Sequence, residues 1–191
     1  MGYHNGEDPE LDYGNEGPRR EPLTKQLNIS NSYVPTWGCS EAFRESYQNC
    51  NRVILISATH PKTQDLLGFI RFEYDQNGLS VDGLKMVNFS ATLEYQMLGI
   101  GTTTKAKNSN QAGQHGEGLK LSALVFRRNN YNFCIESGEQ SWNFIFEKGE
   151  LTCKIHEMRD KNLTVLRDIE KGKPRTFIFR PWEDVCVTVG A

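Results

Sequence analysis

The chain has 191 residues, enough for one domain with a sizeable core. A formal net charge of −2 argues against a strongly basic nucleic-acid binder, and no apolar run approaches the roughly 20 residues of a membrane-spanning helix. Five cysteines with no close pair read as reduced thiols of an intracellular protein, cytoplasmic or nuclear, rather than a disulfide frame or zinc site.

Residues 1–35 are rich in Gly, Pro, Asn and charge and read as a flexible lead-in; residues 36–191 read as the folded domain. The first ten residues show neither the basic start nor the apolar stretch of a secretory signal. A helix is expected from about Ser40 to Ser57, with Ser40 as cap and Glu41 in the first turn. Phe43, Tyr47, Cys50 and Ile54 recur at helical spacing. Leu66–Tyr74 alternates as a strand, with Ile70, Phe72 and Tyr74 on one side. Asn77-Gly78 signals a hairpin turn, and Leu79–Asn88 returns. Leu93–Leu98 reads as a short helix between Thr92 and Gly99. Residues 99–115 form a long polar loop, and loops of that length in compact domains are usually functional or mobile. Gly118–Arg128 is a second helix, with Leu121, Leu124, Val125 and Arg128 on one face. Strands are then expected at Tyr131–Ser137, Trp142–Glu147, Leu151–His156, Arg175–Arg180 and Val185–Val189, with turns at Ser137-Gly138 and Lys148-Gly149. The last strand runs to the chain end, where the sheet or a following domain can be cut short. The resulting class is an α/β two-layer sandwich, its sheet mixed and mostly antiparallel, with helices on one face.

The stretch richest in chemistry is 113–120, Gly-Gln-His-Gly-Glu-Gly-Leu-Lys. Gly113, Gly116 and Gly118 allow sharp turns and a close backbone approach to a ligand. The helix that follows directs its free N–H groups and positive dipole end at that loop, a geometry suited to phosphate. The order G-x-x-G-x-G is not the dinucleotide fingerprint, and no Walker sequence is present. His115, inside the loop, can donate to phosphate or simply pack. Lys105 is a long cation that can reach a phosphate from the loop, or stay solvated. Upstream, Glu45 and Asn49 are four apart and share a helical face. An amide oxygen can ligate magnesium, and a carboxylate can orient attacking water. A solvated surface helix can carry the same pair.

The order of these features resembles the GHKL ATPases, the superfamily of gyrase B, the ninety-kilodalton heat-shock chaperone, histidine kinases and MutL. Ala-Phe-Arg-Glu-Ser-Tyr-Gln-Asn, Leu-Gly-Ile-Gly-Thr-Thr-Thr-Lys, the glycine box, Trp-Asn-Phe and Pro-Trp-Glu-Asp-Val are especially similar to an uncharacterised fungal group. The resemblance implies a Bergerat-type fold over about residues 40–190 that binds ATP and Mg2+. It implies that Glu45 activates water, that Asn49 ligates magnesium, and that Lys105, Gly113, His115, Gly116 and Gly118 belong to a lid over the phosphates. It further implies a strand threonine near adenine, with Thr176 and Thr188 as candidates. A dimer partner or downstream domain usually completes such sites. Asn88 stands where most members carry an adenine-binding aspartate, in Asn88-Phe89-Ser90-Ala91-Thr92 in place of Asp-x-Gly-x-Gly. Arg52 stands where many members are acidic. Asn88 can accept a hydrogen bond but without the charge assistance of aspartate. Two functions follow as expectations: slow magnesium-dependent ATP hydrolysis, or a nucleotide-gated or catalytically inactive interaction module.

Overall fold

The computed structural model describes residues 21–49, 58–60, 62–74, 81–98 and 118–190. Among these, eight strands and three α-helices form an α/β fold. The strands are β1 (Leu23–Ser30), β2 (Ala58–Thr59), β3 (Leu66–Tyr74), β4 (Val81–Asn88), β5 (Asn132–Ser137), β6 (Gln140–Glu147), β7 (Glu150–Glu157) and β8 (Val185–Gly190). They make one sheet in the order β1-β7-β6-β5-β8-β4-β3-β2. Every strand pairing among the described residues is antiparallel.

The β5–β6 and β6–β7 connections are two-residue turns. Gly138 and Glu139, then Lys148 and Gly149, all have positive φ. This is the turn geometry whose twist matches that of paired strands. Alternation then sorts the side chains. Trp142 and Phe144 of β6, Phe133 and Ile135 of β5, Val187 and Val189 of β8 and Met86 of β4 enter one core. The other face carries a smaller cluster of Phe69, Val87, Phe89, Phe179 and Cys186.

Helices α1 (Cys39–Asn49) and α2 (Gly118–Arg128) cover the larger core. The start of α1 is closed by Glu41, whose Oε2 accepts the Gly38 N–H at 2.9 Å. That bond, and one from its own N–H, hold the Glu41 carboxyl below its ordinary pKa. Ser40 lies inside the helix, so the cap expected there is supplied instead by this carboxylate. The helix is described to Asn49; the expected continuation to Ser57 lies outside the described residues, as do the Asn77-Gly78 turn and the 99–115 loop.

α1 meets α2 through small residues. Ala42, Ser46, Ser122 and Ala123 are fully buried. The Ser122 hydroxyl donates to the Ala42 carbonyl at 2.7 Å, so the Ser46 hydroxyl is left to donate to Ser122. At the other end of α2, the Arg128 guanidinium donates to the carbonyls of Asn31, Tyr33, Val34 and Trp37, just before α1. The two helices are therefore antiparallel.

Several elements differ from the sequence expectation. Leu23–Ser30 pairs with β7 as an edge strand, within the stretch read as a lead-in. Leu27 and Ile29 supply its inward side, a pattern hidden by the polar residues around it. Arg175–Arg180 forms no strand. Phe177 sits at a bend, and Phe177 and Phe179 pack on side chains of the sheet without pairing to its backbone. Asp160–Glu170 is a helix, α3, anchored by buried Leu163, Leu166 and Glu170 at spacings of three and four. The short helix expected at Leu93–Leu98 is a 3-10 turn at Tyr95–Leu98.

Removing the Ser122 hydroxyl leaves a buried Ser46 donor without its acceptor. Ser122→Ala is expected to cost about 1–3 kcal/mol in urea unfolding. The double variant with Ser46→Ala is expected to cost less than the sum of the single changes, as coupled partners do.

Candidate functional site

Two local facts orient α2. Residues 129–131 connect it directly to β5, and Phe126 stacks on Phe133 with centroids 6.0 Å apart. An eleven-residue helix of about 16 Å thus folds back along a six-residue strand of about 20 Å. Its first turn, at Gly118, lies toward Ser137 at the end of β5. Because α1 runs antiparallel to α2, its final turn, from Glu45 to Asn49, points to the same end.

The sheet presents a row of paired residues there: Gly68 on β3, Asn88 on β4, Val185 on β8 and Ser137 on β5. Asn88 shares the face of Met86 and Leu84, which is the face covered by α1 and α2. It is half-buried. Gly68 beside it is a close-approach glycine, since a Cβ would sit 2.3 Å from the Val87 carbonyl oxygen. The chain leaving Asn88 then crosses this end of the sheet. Leu93 donates its N–H to the buried Ser137 hydroxyl at 2.8 Å, and the Tyr95 carbonyl accepts from Lys25 on β1 at 3.1 Å.

Glu45, Asn49, Asn88 and Gly118 therefore lie toward one end of the helix-covered side. Glu45 is half-buried, at 17% side-chain exposure, with Arg44 at 3.5 Å. Asn49 is the last residue of α1 and Gly118 the first of α2. Lys105, Gly113, His115 and Gly116 lie outside the described residues, as does Arg52.

Neither threonine candidate joins this group. Thr188 pairs with Lys85 and Cys134 and lies on the opposite face, with the side chain of Cys186 at 3.7 Å. Alternation along β8 decides this, because Val185, Val187 and Val189 take the helix-covered side. Thr176 is exposed in the segment that forms no strand.

Four residues not singled out in the sequence shape this end. Ser137 fixes the crossing chain. Lys120, in the first turn of α2, is only 2% exposed. Ser122 sets the distance between α1 and α2. Asp184, with no exposed surface, accepts from the Ser90 N–H at 3.0 Å, the Arg180 N–H at 2.8 Å and the Arg175 guanidinium. Burial pushes the Asp184 carboxyl above its ordinary pKa, against the pull of those donors. The one available signal was Pro-Trp-Glu-Asp before the last strand, which carries no periodicity to mark it.

Three cysteines of the sheet, Cys134, Cys153 and Cys186, are wholly or partly shielded from solvent. Burial pushes Cys134 up to about 11 and Cys153 up to about 12, and raises Cys186 as well. These groups are thiols, not thiolates, at neutral pH. A surface hollow of about 680 Å³ among Gln26, Glu147, Lys148 and Glu150 lies at the β6–β7 turn, the opposite end of the sheet. Its two carboxylates make it a poor host for a polyphosphate.

Among the described residues no group of three or more His, Cys, Asp or Glu can hold a metal ion, and no helix is long and apolar enough to cross a membrane. No protein-family model matches the chain, and no curated protein matches it.

The tight backbone at Gly68 gives a direct check of this end of the sheet. Gly68→Ala is expected to lower stability by about 1–3 kcal/mol, measured by thermal or urea unfolding, because β3 and β4 must separate beside Asn88.

Proposed function

We propose that the chain is a magnesium-dependent ATP-binding domain of the GHKL type, with Bergerat-like architecture and slow ATP hydrolysis. One observation carries this reading: the N-terminus of α2 opens toward the end of the fold that holds Asn88 and the Glu45–Asn49 turn of α1. A helix N-terminus offers unsatisfied N–H groups and a positive dipole end to phosphate. In the proposal, Gly118 and the preceding glycine box, with Gly113 and Gly116, approach the phosphates. Lys105 and His115 add donors, and Asn88 accepts from the adenine amino group.

Magnesium fits the donor chemistry, because an amide and a carboxylate are hard oxygen ligands and this ion takes few of them from protein. Asn49 would hold it through its amide oxygen, and the bound ion would neutralise phosphate charge. Glu45 orients water and accepts its proton. Positioning and charge stabilisation carry most of phosphoryl transfer, so few groups are needed. A residue from a second copy or a following domain would complete the site.

A second reading is favoured by one residue. Asn88 in place of a carboxylate weakens the bond to adenine. The domain would then act as a nucleotide-gated or catalytically inactive interaction module.

Thermal unfolding with ATP, ADP and GTP, with and without magnesium, tests binding. ATP at a hundredfold over its Kd is expected to stabilise the fold by about 2.7 kcal/mol. The absence of any shift at millimolar nucleotide would sink both readings. Where binding occurs, Glu45→Ala is expected to lower kcat about a hundredfold or more, with ATP affinity retained. Equal background rates in parent and variant would leave the interaction module. Restoring a carboxylate by Asn88→Asp is expected to tighten ATP about fivefold relative to GTP in a direct binding titration.

A further inference from the structure

We propose that Asp184 is a positioning residue for the nucleotide site, holding the turn after Asn88 in a conformation that its own sequence disfavours. The inference rests on the function proposed above.

Ser90 has φ +51, in the left-handed region that non-glycine residues rarely adopt. Asn88 to Thr92 contains no glycine to relieve it. Such a conformation persists only where the surroundings over-determine it. Here the surroundings are explicit. The Ser90 N–H is bound to Asp184 Oδ1 at 3.0 Å, the Ala91 N–H to the Glu183 carbonyl at 3.0 Å, and the Phe89 N–H to the Leu67 carbonyl at 2.9 Å. Three successive amides of the turn are thus held.

The holding group is itself fixed. Asp184 Oδ2 accepts the Arg180 N–H, and Oδ1 also accepts from Arg175. The Arg175 guanidinium lies over the Phe89 ring, 4.1 Å from its centroid, and binds Glu183 at 3.0 Å. Arg180 ties Glu183, at 3.1 Å, to buried Glu170 of α3, at 3.3 Å. The charged cluster therefore clamps Phe89 to Ala91 from outside. Asn88 immediately precedes that turn, so its place in the Gly68–Asn88–Val185 row depends on the clamp. An amide cannot replace the carboxylate, because both carboxylate oxygens face donors and an asparagine offers one acceptor.

The test combines two readouts on the full chain. In the ligand-free protein, Asp184→Asn is expected to speed amide hydrogen exchange at Phe89–Ala91 at least tenfold, with the β5 and β8 amides unchanged. In an ATP titration with magnesium, Asp184→Asn is expected to raise Kd about tenfold. Adding Ser90→Gly, which adopts positive φ freely, is expected to bring Kd back to within about threefold of the parent. Unchanged exchange at Phe89–Ala91, or an unchanged Kd, overturns the proposal; so does failure of Ser90→Gly to rescue. Should Asp184→Asn not fold, Arg175→Gln, which leaves the carboxylate in place, is read by the same criteria. If the parent binds no nucleotide, the functional reading fails, and the positioning role for a nucleotide falls with it. The exchange result still shows separately whether the clamp holds the turn.

Discussion

The close approach of α1 to α2 is the constraint on which the rest of this fold depends. It is set by Ala42, Ser46, Ser122 and Ala123, which leave no side-chain bulk between the two backbones. Each serine would be a liability alone, because a buried hydroxyl without a partner costs free energy. Together with the Ala42 carbonyl they form a closed chain of donors and acceptors. That chain sets the relation of Glu45, one residue before Ser46, to the first turn of α2, one turn before Ser122. Arg128 locks the far end through four carbonyls of the segment leading into α1. The pair of helices is thus pinned at two places, and its Gly118–Asn49 end is presented to the sheet as a unit.

A second constraint acts from the other side. The Arg175, Arg180, Glu183, Asp184 and Glu170 cluster joins the segment before β8, the end of α3 and the turn after β4. Buried carboxylates such as Asp184 and Glu170 are stable only beside cations, which Arg175 and Arg180 supply. Such a cluster resists small shifts and suits a place where a turn must be held in a strained form. The helix pair and the charged cluster therefore flank the same end of the sheet, one carrying Glu45, Asn49 and Gly118 and the other bonded to the turn after Asn88.

Much of the fold was legible because burial on one face writes itself into sequence period. Gly118–Arg128 could be read to its ends, since eleven residues of helical spacing run from a glycine to an Asn-Asn break. The strands after it followed from alternation and from two glycine turns. β1 was hidden because an edge strand needs only one apolar side, and Leu27 and Ile29 sit among polar residues. Arg175–Arg180 misled for the opposite reason. Its alternating aromatics pack on the sheet from a bent segment, and alternation by itself does not supply a backbone partner. The face of Thr188 was not legible for a related reason, because strand identity alone does not say which face meets the helices.

By itself the sequence determined α2 and the strands that follow it, the glycine box ahead of α2, and the chemistry available at Glu45, Asn49 and Asn88. These depend on residue type and on spacing within a few positions. Only the tertiary structure decided that the N-terminus of α2, the last turn of α1 and the Asn88 row lie toward one end. That convergence rests on a serine contact 76 residues apart in the chain and on strands paired out of sequence order. The contacts of Asp184 were also decided there. Its hold on Ser90 spans 94 residues and depends on a backbone angle that no local pattern records.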